Sequence, residues 1–387
     1  MEYTHVSGLV GKLERKPKLL FLINTLDFFL SHRLSLAKAA QENGFEIHVV
    51  APPSTKSSIL NTFNFFYHPI NLSRKGANPF QEAKSIFSIY KIYIQTKPDL
   101  VHHFTIKPML YGSLAGRIAR VPHMVNSVTG LGYVFSNKDL KTRIMKWFVL
   151  KAYKLFFNTR NLTTIFQNPD DLDYFLRKDI VAKNKANLIK GSGVNTIEFQ
   201  PSSFPSTKPV VMLPSRMIWE KGIGDFAQAA IILKKKGIFI NFVLVGTPDK
   251  GNPNSVPEIV LLNWNQEGIL EWWGHKENMP EIINMASIIC LPSFYREGVP
   301  KVLIEAAACG RPIITTNEPG CREIVKDGVN GFLIPIKNPQ ILAEKILLLI
   351  NNPLLMEKMG QAGRDFVKNE FSEDLVIKKT LQVYKIN

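Results

Sequence analysis

Short apolar runs alternate with amphipathic segments along the first half of the chain. Residues 19–24 (LLFLIN) are apolar, which is typical of a buried parallel strand. Residues 32–43 have helical spacing and end at Gly44, and residues 46–51 (EIHVVA) are predicted as a second strand. A strand–helix–strand unit of this kind requires a parallel sheet whose two faces are covered.

The same alternation continues to about residue 198. It predicts further strands at residues 65–70, 99–103, 123–127 and 162–167, and helices at residues 79–95, 107–118, 140–158 and 169–178. We therefore expect a Rossmann-like domain over residues 1–198.

Residues 200–209 (QPSSFPSTKP) are rich in Pro and Ser and are predicted as an interdomain linker. A second series then predicts strands at residues 210–213, 241–246, 270–273, 288–291, 312–315 and 332–334, and helices at residues 225–236, 279–285, 302–309, 339–351 and 353–367. The expected fold class is α/β, with a second Rossmann-like domain over residues 199–371. Residues 372–387 are expected to form a terminal helix that packs back on the first domain.

The composition adds a strong charge asymmetry to this picture. The 387 residues include 48 Lys and Arg against 32 Asp and Glu, a net charge of +16, and the first 200 residues alone hold 27 basic and 13 acidic residues. Such a field indicates a nucleic acid, an anionic membrane face or a phosphorylated substrate. The three cysteines match no zinc pattern and are expected to be buried thiols. We see neither a signal peptide nor a membrane-spanning run, and expect a cytoplasmic protein.

The strongest candidate for chemistry is the segment 293–310 (SFYREGVPKVLIEAAACG). It lies where a predicted strand ends and a helix begins, which is where ligands bind in open parallel sheets. Glu297 and Glu305 are separated by seven residues, and Gly298 permits a close backbone approach. The backbone N–H groups of residues 299–303 are suited to a phosphate. Either glutamate alone could equally be a solvated charge or a helix cap.

A second candidate follows the predicted strand 210–213. Residues 214–222 (PSRMIWEKG) contain Arg216 and Lys221, a guanidinium fork and a compact ammonium that suit a diphosphate. Such cations would neutralise the charge that grows on a departing nucleotide. Taken alone, the two residues could also be solvated surface cations.

The second half resembles family 4 glycosyltransferases, which are retaining enzymes of the two-domain GT-B type. The matching segments are SRMIWEKG, NMPEIINMASII, EGVPKVLIEAAACGRPII and EPGCREIVKDGVNGFLIP. The resemblance implies two Rossmann-like domains that face each other across a cleft, with Glu297, Arg216 and Lys221 as the catalytic residues. It implies that Arg216 and Lys221 bind the donor diphosphate, that Glu305 holds the ribose, and that Glu297 lies beside the donor sugar. The full set implied to contact the nucleotide-sugar is Arg216, Lys221, Gly274, His275, Glu297, Gly298, Val299, Pro300, Lys301, Val302 and Glu305.

The first half is similar to bacterial transferases of lipid-linked oligosaccharide, capsule and O-antigen assembly, including those that add N-acetylgalactosamine to undecaprenyl-diphosphate-linked sugars. The similar segments are NTLDFFLSHRLSL, HHFTIKPMLYGSLAG and NSVTGLGYVF. Two features depart from many relatives. Residues 24–27 (NTLD) replace a double-glycine turn, and residues 128–130 (VTG) stand where a histidine is common.

Four residues are candidates for contacting the acceptor: His103, Lys107, Thr129 and Gly130. His103 ends a predicted strand, Lys107 begins a helix and would suit an acceptor phosphate, and Gly130 gives an exposed backbone. The alternatives stay open: a structural histidine, a surface lysine and a plain loop.

Residues 138–160 interleave seven Lys and Arg residues with Trp147, Phe148, Leu150, Phe156 and Phe157. This profile is typical of a helix in an anionic membrane interface, although a domain helix with one buried stripe would also explain it. We expect a peripheral location on the inner face of the cell membrane.

The resulting hypothesis is a retaining transferase that moves a hexose or N-acetylhexosamine, best N-acetylgalactosamine, from a UDP-sugar to a polyprenyl-diphosphate-linked acceptor. The acid-rich segment 170–173 opens a predicted helix, where acids favour the helix dipole, so no metal or other cofactor is expected. Three rivals remain: a GT-B-like UDP-sugar epimerase that needs no acceptor, a nucleic-acid-binding protein, and an inactive scaffold. No RNA-binding signature is present, so we expect no nucleic-acid partner.

Overall fold

The chain forms two compact units, one of residues 1–189 and 376–387 and the other of residues 190–375. A computed structural model describes residues 15–72, 78–132, 135, 140–157, 159–205 and 208–385. The predicted boundary between residues 198 and 199 falls inside the second unit. The reason is local pairing, because Val194 N donates to Phe371 O and Glu373 N donates to Val194 O, which ties residues near 194 to this unit.

The first unit is built on a seven-stranded parallel sheet with the strand order β3-β2-β1-β4-β5-β6-β7. Nearly all residues of β1, β2 and β4 are buried on both faces, as expected of central parallel strands, and most of them are apolar. The strands are β1 Lys18–Leu22, β2 Glu46–Ala51, β3 Phe66–Pro69, β4 Leu100–Phe104, β5 His123–Val128, β6 Leu162–Phe166 and β7 Ala186–Leu188.

Helices cover both faces of this sheet. One face packs against α4, α5, α6 and α7, and the other against α1, α2, α3 and the C-terminal helix α15. The helices are α1 Leu26–His32, α2 Leu34–Glu42, α3 Ser58–Asn61, α4 Pro79–Thr96, α5 Ile106–Ile118, α6 Leu140–Phe157, α7 Pro169–Arg177 and α15 Glu373–Val383.

The second unit has a six-stranded parallel sheet with the order β10-β9-β8-β11-β12-β13. Its strands are β8 Val210–Pro214, β9 Asn241–Val245, β10 Glu271–Trp272, β11 Ile288–Leu291, β12 Ile313–Thr316 and β13 Gly331–Ile334. Its helices are α8 Ile223–Lys235, α9 Glu258–Gln266, α10 Met279–Asn284, α11 Lys301–Ala308, α12 Pro319–Arg322, α13 Pro339–Ile350 and α14 Pro353–Glu370.

Asn-Pro pairs begin four of the helices, α4, α7, α13 and α14. The asparagine side chain accepts a backbone hydrogen bond from the first turn, and proline supplies a helical φ where no donor is needed. In α7 the Asn168 amide also donates to the buried Asp171 carboxylate at 3.0 Å. The acidic segment 170–173 therefore forms the start of α7, with Asp171 contacting the asparagine that caps the helix.

The structure confirms the predicted α/β architecture and corrects several elements. Residues 26–42 form two helices rather than one that begins at residue 32, and the edge strand β10 spans only two residues. The pattern missed β7 and α9. The short edge strand β7 (ANL) has no fully buried residue, so it lacks the apolar run that marks the central strands.

Candidate functional site

Three loops of the second unit meet at the carboxyl ends of β8, β11 and β12. A methyl group at Gly222 would lie 2.2 Å from the carbonyl oxygen of Pro292, which follows β11. One at Gly320 would lie 1.9 Å from the carbonyl oxygen of Gly298. Both distances are far below van der Waals contact, so only glycine permits this approach. The predicted segments 214–222 and 293–310 are thereby brought together.

Lys221 and Glu297 form an ion pair where these loops meet. Lys221 Nζ lies 2.6 Å from Glu297 Oε2, and the two side chains are only 10% and 13% exposed. The wholly buried Ser293 places its hydroxyl 3.0 Å from Glu297 Oε1 and 3.1 Å from Glu220 O. The Lys221 ammonium is therefore held at the end of a strand by the Glu297 carboxylate, which the Ser293 hydroxyl contacts in turn.

Arg216 follows β8 and reaches the loop after β9. Its NH1 lies 2.6 Å from Asp249 Oδ2, and the guanidinium is about half exposed while Asp249 is 10% exposed. The carboxyl ends of β8 and β9 adjoin, because a methyl group at Gly246 would meet Ser215 O at 1.9 Å. Arg216 thus lies at the same end of the sheet as the Lys221–Glu297 pair, with Asp249 as its counter-ion.

Glu305 lies in α11, the helix that follows the β11 loop. It is 7% exposed, and Lys301 Nζ is 3.3 Å from its Oε1, one helical turn away. Burial raises the pKa of the Glu305 carboxyl, and the charge of Lys301 opposes that shift. Gly298, Val299 and Pro300 precede the helix and are buried, and Val302 is half-buried in its first turn.

Gly274 and His275 follow the edge strand β10. Gly274 adopts a φ of +66°, and its carbonyl accepts a hydrogen bond of 2.7 Å from Gly246 N. His275 is exposed. All the residues predicted to contact a nucleotide-sugar therefore lie at the carboxyl ends of the second sheet or in the first turns of α11.

In the first unit, the structure contradicts an accessible position for His103. The imidazole is wholly buried, with Nδ1 2.7 Å from Asn126 Oδ1 and Nε2 2.9 Å from Tyr93 OH. A methyl group at Gly112 would lie 2.5 Å from the ring. Burial lowers the pKa of His103 to about 4, so the ring is neutral at pH 7. We therefore remove His103 from the candidate acceptor residues.

The neighbouring His102 faces the other side of the sheet and is equally enclosed. Its Nδ1 lies 2.5 Å from Tyr384 OH, just beyond α15, and its Nε2 lies 2.7 Å from Ser127 Oγ. Burial holds the pKa of His102 well below its usual range. Both histidines therefore belong to the packed interior of the first unit.

The other three acceptor candidates remain partly accessible. Lys107, in the first turn of α5, places its Nζ 2.5 Å from Glu82 Oε1, and Tyr111 OH donates to Glu82 Oε2 at 2.7 Å. Thr129 and Gly130 follow β5 and are half-buried, with a φ of +106° at Gly130. Since β4 and β5 are neighbours, these residues lie beyond the carboxyl ends of adjacent strands.

Two family models match the chain, one in each unit. The model described as "Glycosyl transferases group 1" matches residues 194–366, and the model described as "Glycosyl transferase 4-like" matches residues 18–168. The chain is a glycosyltransferase, and its two units resemble the group 1 and 4-like families. It is therefore an enzyme of the transferase class, which disfavours the epimerase alternative.

Relatives and solved structures agree with this assignment. The glycosyltransferase is 28% identical to the N,N'-diacetylbacillosaminyl-diphospho-undecaprenol alpha-1,3-N-acetylgalactosaminyltransferase of Campylobacter jejuni, over 92% of this chain and 97% of that one. It is 25% identical to the UDP-Gal:alpha-D-GlcNAc-diphosphoundecaprenol alpha-1,3-galactosyltransferase of Escherichia coli, over 76% of each. The structure of HepE from Anabaena, solved with UDP and glucose, superimposes with a TM-score of 0.78 at 18% identity, covering 95% of this chain and 99% of that one. The fold is GT-B.

Sequence reasoning missed two residues that support the charged pairs of the glycosyltransferase, Asp249 and Ser293. Asp249 lies in a turn-rich segment (TPDKGNPN) immediately after β9. Its place after a parallel strand was a usable signal, because ligands bind outside the carboxyl ends of such strands. Ser293 belongs to the quoted segment 293–310, and its support of Glu297 becomes evident only from their distance.

Two searches of the described residues concern membranes and metals. No described helix is both long enough and apolar enough to cross a bilayer. In the same parts of the chain, no group of three or more His, Cys, Asp or Glu side chains is arranged to hold a metal ion.

Proposed function

We propose that this glycosyltransferase moves a hexose or N-acetylhexosamine, with N-acetylgalactosamine as the best candidate, from a UDP-sugar to an undecaprenyl-diphosphate-linked sugar, with retention of the anomeric configuration. The observation that carries the proposal is the shielded Lys221–Glu297 pair at the meeting point of the β8 and β11 loops. The names of the Campylobacter jejuni and Escherichia coli relatives supply the lipid-linked acceptor class.

The donor would bind with its diphosphate at Arg216, Lys221 and the start of α11. A fixed ammonium, a guanidinium fork and a helix N-terminus all favour the negative charge that develops on the leaving UDP. Glu305 would accept hydrogen bonds from the ribose hydroxyls, and residues 274–275 would lie near the base. Glu297, held by Ser293 and Lys221, would lie beside the sugar.

The resemblance to retaining glycosyltransferases supports the following course for the reaction. The acceptor hydroxyl oxygen bonds to the anomeric carbon as the bond from that carbon to the diphosphate oxygen breaks. The hydroxyl proton passes to the leaving phosphate oxygen, so no side chain must act as a base. The hydroxyl attacks the anomeric carbon on the same face from which the leaving group departs, and this preserves the anomeric configuration. Lys107, Thr129 and Gly130 are the candidates for contacting the acceptor.

One experiment tests substrate and reaction together. The enzyme is incubated with a panel of UDP-sugars and an undecaprenyl-diphosphate-linked sugar, and products are read by mass and by the anomeric proton coupling. We expect a gain of one N-acetylhexosamine with an α linkage from an α-linked donor. A new epimer in a reaction without acceptor would support the epimerase instead, and an inverted linkage would contradict retention.

An anionic membrane face is the second partner that we propose, and helices α4, α5 and α6 carry the argument. Helix α5 packs between the other two. The three helices contain nine Lys and Arg residues but one acid, Glu82, and α7 on the same face adds one Arg and three Asp. Helices α1, α2 and α15, which cover the opposite face of the sheet, contain three basic and four acidic residues. The positive excess of this unit is therefore concentrated on one helical layer.

The same layer exposes large apolar side chains beside its lysines. They include Phe80, Phe87, Trp147, Phe148 and Leu155, each more than half exposed. Lys91 lies 4.7 Å from the centre of the Phe87 ring, and Lys151 lies 5.6 Å from Trp147. Aromatic rings paired with cations suit the headgroup region of an anionic bilayer.

Flotation with vesicles tests this surface. We expect binding to vesicles that contain phosphatidylglycerol, loss of binding at 0.5 M salt, and at least a fivefold weaker association for Trp147→Ser/Phe148→Ser. The control, Leu354→Ser, alters an even more exposed apolar residue of α14 in the other unit. Equal binding by both variants, or preference for DNA over vesicles, would contradict the assignment.

A further inference from the structure

The loop after β9, residues 247–256, is fastened to the segment that carries Arg216 and Lys221. Met217 N donates to Thr247 O at 3.0 Å, Val256 N to Met217 O at 2.9 Å, and Trp219 N to Asn254 O at 2.9 Å. The Asn254 side chain also donates to the buried Glu220 carboxylate. Because backbone bonds join the two segments along their length, side chains of this loop have fixed positions relative to Arg216.

Asp249 is the residue of this loop that contacts Arg216. Its Oδ2 accepts from Arg216 NH1 at 2.6 Å and from the Asn252 side chain at 3.2 Å. Asn252 N donates back to Asp249 O at 2.8 Å, which closes a tight turn around the carboxylate. The shielded Asp249 is therefore the fixed partner, and the half-exposed Arg216 is the side chain that it orders.

We propose that Asp249 is a positioning residue that holds the Arg216 guanidinium ready for the donor diphosphate. This inference rests on the proposed function of the donor site. A guanidinium has five N–H donors, and the Asp249 contact leaves others for a phosphate. Ordering a free arginine side chain on binding costs rotamer freedom, and a side chain held in advance avoids part of that cost.

The opposite role for the same contact makes a different prediction. If Asp249 merely occupied Arg216 until a diphosphate displaced it, removing the carboxylate would strengthen the binding of UDP. A positioning residue acts in the other sense, and its effect is confined to ligands that carry phosphate.

Equilibrium titration of UDP and of uridine separates these roles. We expect Asp249→Ala to weaken UDP binding about tenfold and Asp249→Asn, which keeps an acceptor oxygen, about threefold. Uridine binding should stay within twofold of wild type in both variants. Asp365→Ala is the matched control, because Asp365 is an exposed acid of α14 in the same unit. Thermal unfolding midpoints verify that each variant is folded, and Asn252→Ala serves in place of any variant that is not.

A double-mutant cycle completes the test. If Asp249 acts through Arg216, Arg216→Ala and Arg216→Ala/Asp249→Ala will bind UDP equally weakly. Independent, additive losses would overturn the inference, as would tighter UDP binding by Asp249→Ala or an equal loss of uridine. If Arg216→Ala weakens UDP binding and Asp249→Ala does not, the donor site stands and the positioning role fails. If wild type binds no UDP, the proposed function fails first and the positioning role with it.

Discussion

The two parallel sheets place different polar chemistry near the carboxyl ends of their central strands. In the second unit, the segments after β8, β9 and β11 hold the ion pairs Lys221–Glu297 and Arg216–Asp249, which keep some exposure. In the first unit, His102 and His103 of β4 are buried, neutral and bonded on both ring nitrogens. A partly exposed cation at a loop can contact an anionic ligand, whereas a buried neutral network stabilises the fold. Under the proposed function, one architecture uses the same end of a sheet for binding in one unit and for packing in the other.

The largest expected effect comes from removing the Lys221–Glu297 ion pair of the second unit. We expect Lys221→Ala to lower kcat/KM for transfer about a thousandfold, because it removes a cation from the leaving diphosphate and leaves a shielded carboxylate unpaired. Glu297→Gln, which keeps the shape, should lower it by about a hundredfold. Steady-state rates with saturating acceptor measure both.

The controls for this experiment lie on α14 of the same unit. Lys358 and Glu357 are exposed there, and Lys358→Ala and Glu357→Gln should keep transfer within twofold of wild type. Rates for Lys221→Ala within a few-fold of wild type would refute the role of the ion pair.

The same contrast between partly exposed ion pairs and buried histidines explains how much of the candidate site could be predicted from the sequence. The sequence could place Arg216, Lys221 and Glu297 at one end of the second sheet, because they follow predicted strands at short distances. It could not show the contact between Arg216 and Asp249, since the two residues are 33 positions apart. His103 was misjudged because alternation along a strand does not say which side chains a neighbouring helix encloses. Only the position of Gly112 against the ring shows that the histidine is covered.

The next largest effect concerns the buried histidine network of the first unit and the pH dependence of stability. The pKa of His103 is about 4 against an ordinary value of 6.5, so protonation favours the unfolded chain. Its contribution to the free energy of unfolding is full above pH 6.5 and is lost as the pH falls towards 4, by about 3 kcal/mol. His103→Gln should therefore lose less stability than wild type between pH 7 and pH 4, as measured by urea unfolding.

The donor-binding constant of His103→Gln provides the complementary readout. It should be unchanged at pH 7, because His103 packs only the first unit. His123→Gln, at the half-buried start of β5, is the matched control for the pH series. A wild-type slope in His103→Gln would show that other groups cause the loss.

A smaller effect concerns Glu305, the buried carboxylate of the proposed donor site. Glu305→Gln should weaken UDP binding about tenfold, because hydrogen bonds to a charged acceptor contribute about 1.5–3 kcal/mol and those to a neutral amide less. The loss should be absent for uracil, which lacks the ribose. Glu344→Gln, an exposed acid of α13, is the control. An equal loss for uracil would move Glu305 away from the ribose.

The smallest effect tests whether the first unit has a charged ligand contact of its own. Lys107 follows β4, as Lys221 follows β8, but Glu82, which also accepts a hydrogen bond from Tyr111, already holds it within the unit. Because the Glu82 carboxylate competes for the ammonium, we expect Lys107→Ala to raise the KM for the lipid-linked acceptor only about threefold to fivefold, with the KM for UDP-sugar unchanged. Lys84→Ala, an exposed lysine of α4, separates this contact from general attraction to the lipid surface. If both variants raise the acceptor KM equally, Lys107 contributes to the basic face alone, and the contrast between the two sheets becomes complete.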